Sequence, residues 1–198
     1  MNLPNKLTIL RILLVPIMII IPYLNIPGEF FGISYSFLII DVIFIIASIT
    51  DKLDGTIARK KNLVTTFGKF LDPIADKILV LAALIILVEQ SKIPAWIPII
   101  VLFREFVVSG YRLIAVGNSG KVIAASIWGK LKTVTQMIAI IFAFIDVGTF
   151  FEFTKGSLTG VQLIINIISS VMMVVSVIAA VFSGVDYVKD GKDLLKDM

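Results

Sequence analysis

The 198 residues contain no cysteine and no histidine. The first absence excludes disulfides, thiolate metal sites and a cysteine nucleophile. The second removes the commonest general base and the commonest transition-metal ligand, so proton transfer falls to carboxylates ahead of Lys or Tyr. Nucleotide-binding glycine motifs are missing too: there is no Gly-x-Gly-x-x-Gly, and Gly129-Lys130 lacks the upstream glycine and preceding strand of a phosphate loop. Charged side chains make up only 16% of the chain, against about 25% in soluble domains. No internal repeat and no long linker divides it, so residues 1–198 are read as one domain. The net charge of +4 sits in no nucleic-acid motif, and no nucleic-acid partner is expected.

What is abundant is apolar surface. Hydrophobic residues make up 58% of the chain and the mean hydropathy is +1.02, which defines an all-α integral membrane protein. Six stretches approach bilayer-spanning length, at about 7–24, 34–50, 71–88, 93–115, 127–147 and 160–183. With the N-terminus inside, the cytoplasmic segments hold Lys6, Lys52, Arg59, Lys60, Lys61, Lys69, Lys121, Lys189, Lys192 and Lys196, while the outer loops hold only Lys92 and Lys155. That asymmetry predicts a multi-pass protein of the cytoplasmic membrane. The first span runs on into Pro22 and Pro27-Gly28 without a small-residue cleavage pattern, so it reads as an anchor.

Residues 51–77 concentrate the acid. If each half is helical, Asp51, Asp54, Gly55 and Ala58 fall at i, i+3, i+4 and i+7, and Gly68, Asp72 and Asp76 at i, i+4 and i+8. Two such helices joined by a short turn aim four carboxylates at one point on the cytoplasmic side. Their repulsion beside apolar runs requires protonation or bound cations, and two divalent ions cancel the formal charge. Oxygen ligands without nitrogen or sulfur favour Mg²⁺ or Mn²⁺, held together with substrate phosphates. Phosphoryl-group chemistry is the consequence.

The remaining polar residues have structural readings as well. Residues 1–6 read as an interfacial lead, with Asn2 or Asn5 as cap and Pro4 in the first turn, or as a lid beside the acids. Arg11, inside an apolar run, requires a partner. Asp41 lies about 15 Å deeper than Asp51, and a structural pair, with Arg104 as candidate, is preferred to catalysis. Pro73 suits a first turn, so the third helix is expected to begin near the acids. Arg104 and Glu105 point about 100° apart on one helix, so each is expected to find a partner elsewhere. Residues 186–198 read as a solvated tail, helix or coil, without chemistry.

The pattern Asp-x2-Asp-Gly-x2-Ala-Arg, eight residues, Gly-x3-Asp-x3-Asp at 51–76 resembles the signature of the CDP-alcohol phosphotransferases, with every defining position filled. Asn5, Thr8 and Arg11, the 67–77 run, Arg104-Glu105, and Gly129-Lys130-x-Lys132-Thr133 further resemble the branch of that family that uses glycerol 3-phosphate. The resemblance implies six transmembrane helices, a homodimer, and displacement of CMP from CDP-diacylglycerol by an alcohol. It assigns Asp51, Asp54, Asp72 and Asp76 to metal, with Asp76 also the general base. CDP-lipid contacts fall to Asn5, Thr8, Asp54, Gly55, Ala58, Arg59 and Gly68. Glycerol 3-phosphate carries about two negative charges, and Arg104, Arg112, Lys130 and Lys132, with hydroxyls from Tyr111 and Thr133, are the candidates to hold its phosphate. An inositol-phosphate acceptor demands similar cations. A cation-coupled transporter is the reading from another class, though it would place its acids near the bilayer midplane.

Overall fold

A computed structural model describes residues 2–60, 65–119 and 127–190. The first helix, α1 (Leu3–Ile20), starts where Asn2 turns its side chain onto the Asn5 amide at 3.3 Å, with proline in the first turn as such starts favour. A short 3₁₀ turn follows at Ile21–Leu24. Two two-residue strands, β1 (Glu29–Phe30) and β2 (Ile33–Ser34), pair antiparallel before α2. Their linking residues Phe31 and Gly32 both have positive φ, the backbone that a two-residue hairpin requires. This hairpin corrects the all-α expectation, in a connection too short to alter the architecture.

The long helices α2 (Tyr35–Lys60), α3 (Thr66–Glu89), α4 (Trp96–Ser119), α5 (Ile127–Ile145) and α6 (Gly160–Asp190) complete the chain. α5 and α6 pack along much of their length, α1 lies against α3 and α2, and α4 rests on α6. Phe44 of α2 and Phe144 of α5 are fully buried at the centre, ring centroids 6.5 Å apart, among Ile40, Leu84, Leu87, Ile140 and Met173. The outside is apolar as well: Leu13, Ile85, Ile99, Phe103, Phe106 and Val161 are exposed. An apolar exterior around a core containing buried Arg11, Asp41, Lys132 and Asp146 suits lipid better than water.

Among the described residues, three helical segments are long and apolar enough to cross a bilayer: Asn5–Leu24, Ile127–Ile145 and Gly160–Lys189. α2, α3 and α4 have the length, 26, 24 and 24 residues, but carry Asp41, Asp51, Asp72, Asp76, Arg104, Glu105 and Arg112 within it. The helices that fall short on apolarity are those that bear the charges.

Two boundaries differ from expectation. α3 begins at Thr66, capped by Thr65 on the Gly68 amide at 3.0 Å, and Pro73 lies inside the helix. The capping threonine upstream of Pro73 outweighs the loss of one interior hydrogen bond. α6 continues to Asp190 and buries Tyr187 to 2% exposure, so the stretch after 186 begins as packed helix; residues 191–198 of the expected tail lie outside the described residues.

Candidate active site

Both halves of the acidic motif are helical, Asp51 on α2 and Asp72 and Asp76 on α3. The side chains of Asp54, Gly55, Ala58 and Arg59 lie outside the described residues. α1 closes this corner from the third side. Arg11, 1% exposed, sets Nη1 2.7 Å from Asp51 Oδ1 and donates from Nε to the Ala47 carbonyl at 3.3 Å. An arginine inside an apolar helix thus meets the partner it needs. Thr8 donates to Asp72 Oδ1 at 2.7 Å, and Thr65 donates to Asn5 Oδ1 at 3.0 Å. Asn5 and Thr8 are buried, so the N-terminal turn packs against the acidic corner.

Gly68 makes that packing possible. A Cβ there would meet Asn5 Oδ1 at 3.0 Å, Thr65 Oγ1 at 3.2 Å and Asp72 Oδ2 at 3.9 Å. The missing side chain leaves a niche bordered by three oxygens, and the donor set is oxygen throughout, which fits a hard divalent cation in kind. Among the described residues no three acidic side chains form a metal-binding group. Asp51, Asp72 and Asp76 are the described members of the expected set.

One turn beyond Asp72, Asp76 lines a cavity of about 340 Å³ between α3 and α4, together with Lys77, Glu105, Ser109 and Lys132 above an apolar floor. Asp76 lies within electrostatic reach of Asp51, Lys132, Glu105 and Arg11, which ties the cavity to the acidic corner. Glu105 is its hub. Its Oε1 is 2.7 Å from Arg104 Nη1 and 2.9 Å from Lys132 Nζ, and its Oε2 is 4.0 Å from Lys77 Nζ. Lys77 also donates to Ser109, which donates to the Glu105 carbonyl at 2.6 Å. Three helices each contribute a cation to one carboxylate.

Arg104 and Glu105 do pair directly, contrary to the expectation from their 100° offset. A long guanidinium stem can turn back toward a neighbouring carboxylate, and each residue also keeps an outside partner, Ser183 for Arg104 and Lys132 for Glu105. Asp41 is not the partner of Arg104: it is 6% exposed and, among the described residues, its Oδ1 accepts no hydrogen bond. Arg112 donates to the Tyr187 hydroxyl at 2.6 Å. The guanidinium carbons of Arg112 and Arg104 lie 5.3 and 5.9 Å from the Tyr187 ring centroid.

Of the residues expected to hold an acceptor phosphate, the structure groups Arg104, Arg112 and Lys132. Tyr111 is half-buried on the same helix as the arginines. Lys130 and Thr133 are exposed, and the Thr133 hydroxyl donates to the Gly129 carbonyl of its own helix at 3.1 Å. Lys77, Ser109, Ser183 and Tyr187 were given no role from sequence. For the last two a signal existed, since Ser183 and Tyr187 stand at i and i+4 near the end of an apolar helix and share a face.

A helical bundle with an apolar exterior, and with carboxylates and cations gathered around an internal cavity, is a membrane protein built for chemistry on charged substrates. The chain belongs to the CDP-alcohol phosphatidyltransferase family, whose sequence pattern matches residues 1–185. It is 52% identical over 146 residues to the CDP-diacylglycerol--glycerol-3-phosphate 3-phosphatidyltransferase of Bacillus subtilis (strain 168), covering 70% of this chain and 74% of that one. The enzyme of the same name from Haemophilus influenzae is 36% identical over 201 residues, 99% of this chain and 96% of its own. A probable phosphatidylglycerophosphate synthase of Mycobacterium tuberculosis is 36% identical over 190 residues, 94% of this chain and 80% of its own.

Proposed function

We propose that this protein transfers the phosphatidyl group of CDP-diacylglycerol to the free hydroxyl of glycerol 3-phosphate, giving phosphatidylglycerol phosphate and CMP. The observation that carries this reading is that Asp76 shares one cavity with Lys77, Glu105 and Lys132, so a carboxylate base and a cationic cluster face the same space. Asp76 takes the proton of the acceptor hydroxyl. The hydroxyl oxygen then bonds to the phosphorus bearing diacylglycerol, the pyrophosphate P–O bond breaks, and CMP leaves with the electron pair. Lys132, Arg104 and Arg112 hold the acceptor's phosphate, arginine in bidentate fashion.

Asp51, Asp54, Asp72 and Asp76 would hold two divalent ions, Mg²⁺ or Mn²⁺. The chemistry such ions supply when bound is polarisation of the pyrophosphate and neutralisation of charge on departing CMP. Arg11 fixes Asp51 in direction, and Thr8 does the same for Asp72. Asn5, Thr8 and Gly68, with Gly55, Ala58 and Arg59, form the bed for the nucleotide. In this reading all six helices span the cytoplasmic membrane, the N-terminus and site face the cytoplasm, and two copies form a homodimer.

The test is release of CMP from CDP-diacylglycerol by purified protein in detergent. Release that requires both glycerol 3-phosphate and Mg²⁺ or Mn²⁺ is expected. Full turnover after exhaustive chelation would remove the metal assignment, and equal rates with unphosphorylated glycerol would remove the acceptor assignment.

A further inference from the structure

We infer that Tyr187, on α6 and outside the acidic motif, is a positioning residue that fixes Arg112 and Arg104 for the acceptor's phosphate; this rests on the function proposed above. The phenol is 2% exposed although it lies three residues from the end of the described helix, and its hydroxyl accepts from Arg112 at 2.6 Å. Both guanidinium groups gather about the same ring, at 5.3 and 5.9 Å. One turn earlier, Ser183 is fully buried and accepts from Arg104. The face of α6 carrying Ser183 and Tyr187 therefore determines where two α4 arginines point.

Physical need supports the assignment. Arg104 is restrained by Glu105 as well as Ser183. Arg112 is exposed on α4, and a long exposed side chain samples many rotamers unless something restrains it. A ring face plus a hydroxyl acceptor holds a planar guanidinium in direction without neutralising it, as a carboxylate would. The charge stays available to a phosphate. Of the two arginines gathered about Tyr187, the outer one keeps its full charge and the inner one shares its charge with Glu105.

Tyr187→Phe retains the ring and removes the acceptor, so it separates position from packing. With wild-type protein as reference, steady-state rates are measured against glycerol 3-phosphate and against CDP-diacylglycerol. The expected result is a KM for glycerol 3-phosphate raised about fivefold to tenfold, the scale of one ordinary hydrogen bond, with kcat and the KM for CDP-diacylglycerol held. In the Arg112→Gln background the same change should add nothing, because the residue it positions is gone. An unchanged acceptor KM in Tyr187→Phe, equal rises for both substrates, or full additivity with Arg112→Gln each overturns the proposal. Tyr187→Ala serves as a packing control: thermal stability falls in it, whereas Tyr187→Phe should match wild type. A wild-type chain inactive with glycerol 3-phosphate would instead remove the functional reading beneath.

Discussion

The two ends of α3 carry polar networks built on opposite principles. Beyond the C-terminal end, Lys92 donates to the carbonyls of Asp146 and Gly148 and lies 5.5 Å from the Phe37 ring. Burial pulls the Lys92 ammonium below its ordinary 10.5, opposed by the charges of Asp146 and Glu152. Asp146 accepts from the Gly148 amide at 2.9 Å and from Asn166 at 2.8 Å; Asn166 also donates to the Thr149 carbonyl and accepts from the Phe153 amide, each at 2.9 Å. Gly148 is pressed so close that a Cβ would stand 2.8 Å from Asn166 Nδ2. Most of these bonds end on backbone. The network ties the α5–α6 connection to the neighbouring loop.

At the N-terminal end most contacts run from side chain to side chain, across α1, α2, α3, α4 and α5, and they border a niche and a cavity. Carboxylates and cations there are not matched one to one: Glu105 faces Arg104, Lys132 and Lys77. A polar network that satisfies backbone lowers the energy of the fold; one that leaves charge directed at open space prepares for a substrate. Substitutions should therefore divide cleanly, with stability lost at one end of α3 and kinetic constants at the other.

The largest effect is expected at Asp76. Asp76→Asn should reduce turnover by roughly 10²-fold or more, the usual scale for loss of a general base, while CDP-diacylglycerol binding is retained. A variant that recovers full turnover at higher Mg²⁺ would make Asp76 a ligand without base function. Next is Asn166→Ala at the C-terminal end, which removes one donor each from Asp146 and the Thr149 carbonyl and orphans the Phe153 amide. Stability should fall by about 2 kcal/mol, read from thermal or denaturant unfolding in detergent, with both KM values unchanged. A shift in either KM would show that the two networks are coupled.

Smaller is Arg112→Gln, for which the KM for glycerol 3-phosphate should rise about tenfold, as expected for one lost charge-assisted contact. Loss confined to CDP-diacylglycerol would transfer Arg112 to the nucleotide. The smallest effect concerns Glu152. Its carboxylate accepts from the Thr149 hydroxyl and amide at 2.6 and 2.7 Å, which holds its pKa below the ordinary 4.5. A lowered carboxylate pKa contributes stability that is complete above the unfolded value and is lost as pH falls through the folded one. Glu152→Gln should therefore flatten the decline of stability below about pH 4.5; parallel acid limbs in variant and wild type would show that the contact contributes nothing.

The sequence by itself determined the membrane class, the helical form of both motif halves, and the family, because hydropathy and i, i+3, i+4 spacing are local properties that one chain segment expresses alone. Arg11 signalled its need for a partner in the same way, by lying in an apolar run. The tertiary structure decided which partner answered. That Arg11 meets Asp51, that Glu105 gathers cations from α3, α4 and α5, and that Tyr187 reaches back to Arg112 all depend on how helices distant in sequence are packed. The expectation for Arg104 and Asp41 failed for this reason: matching charge and plausible depth say nothing about which helix faces which. The local composition around Tyr187 resembles a solvated segment, whereas packing against α4 buries it. Spacing records what a helix can present; only the packed bundle decides what each face meets.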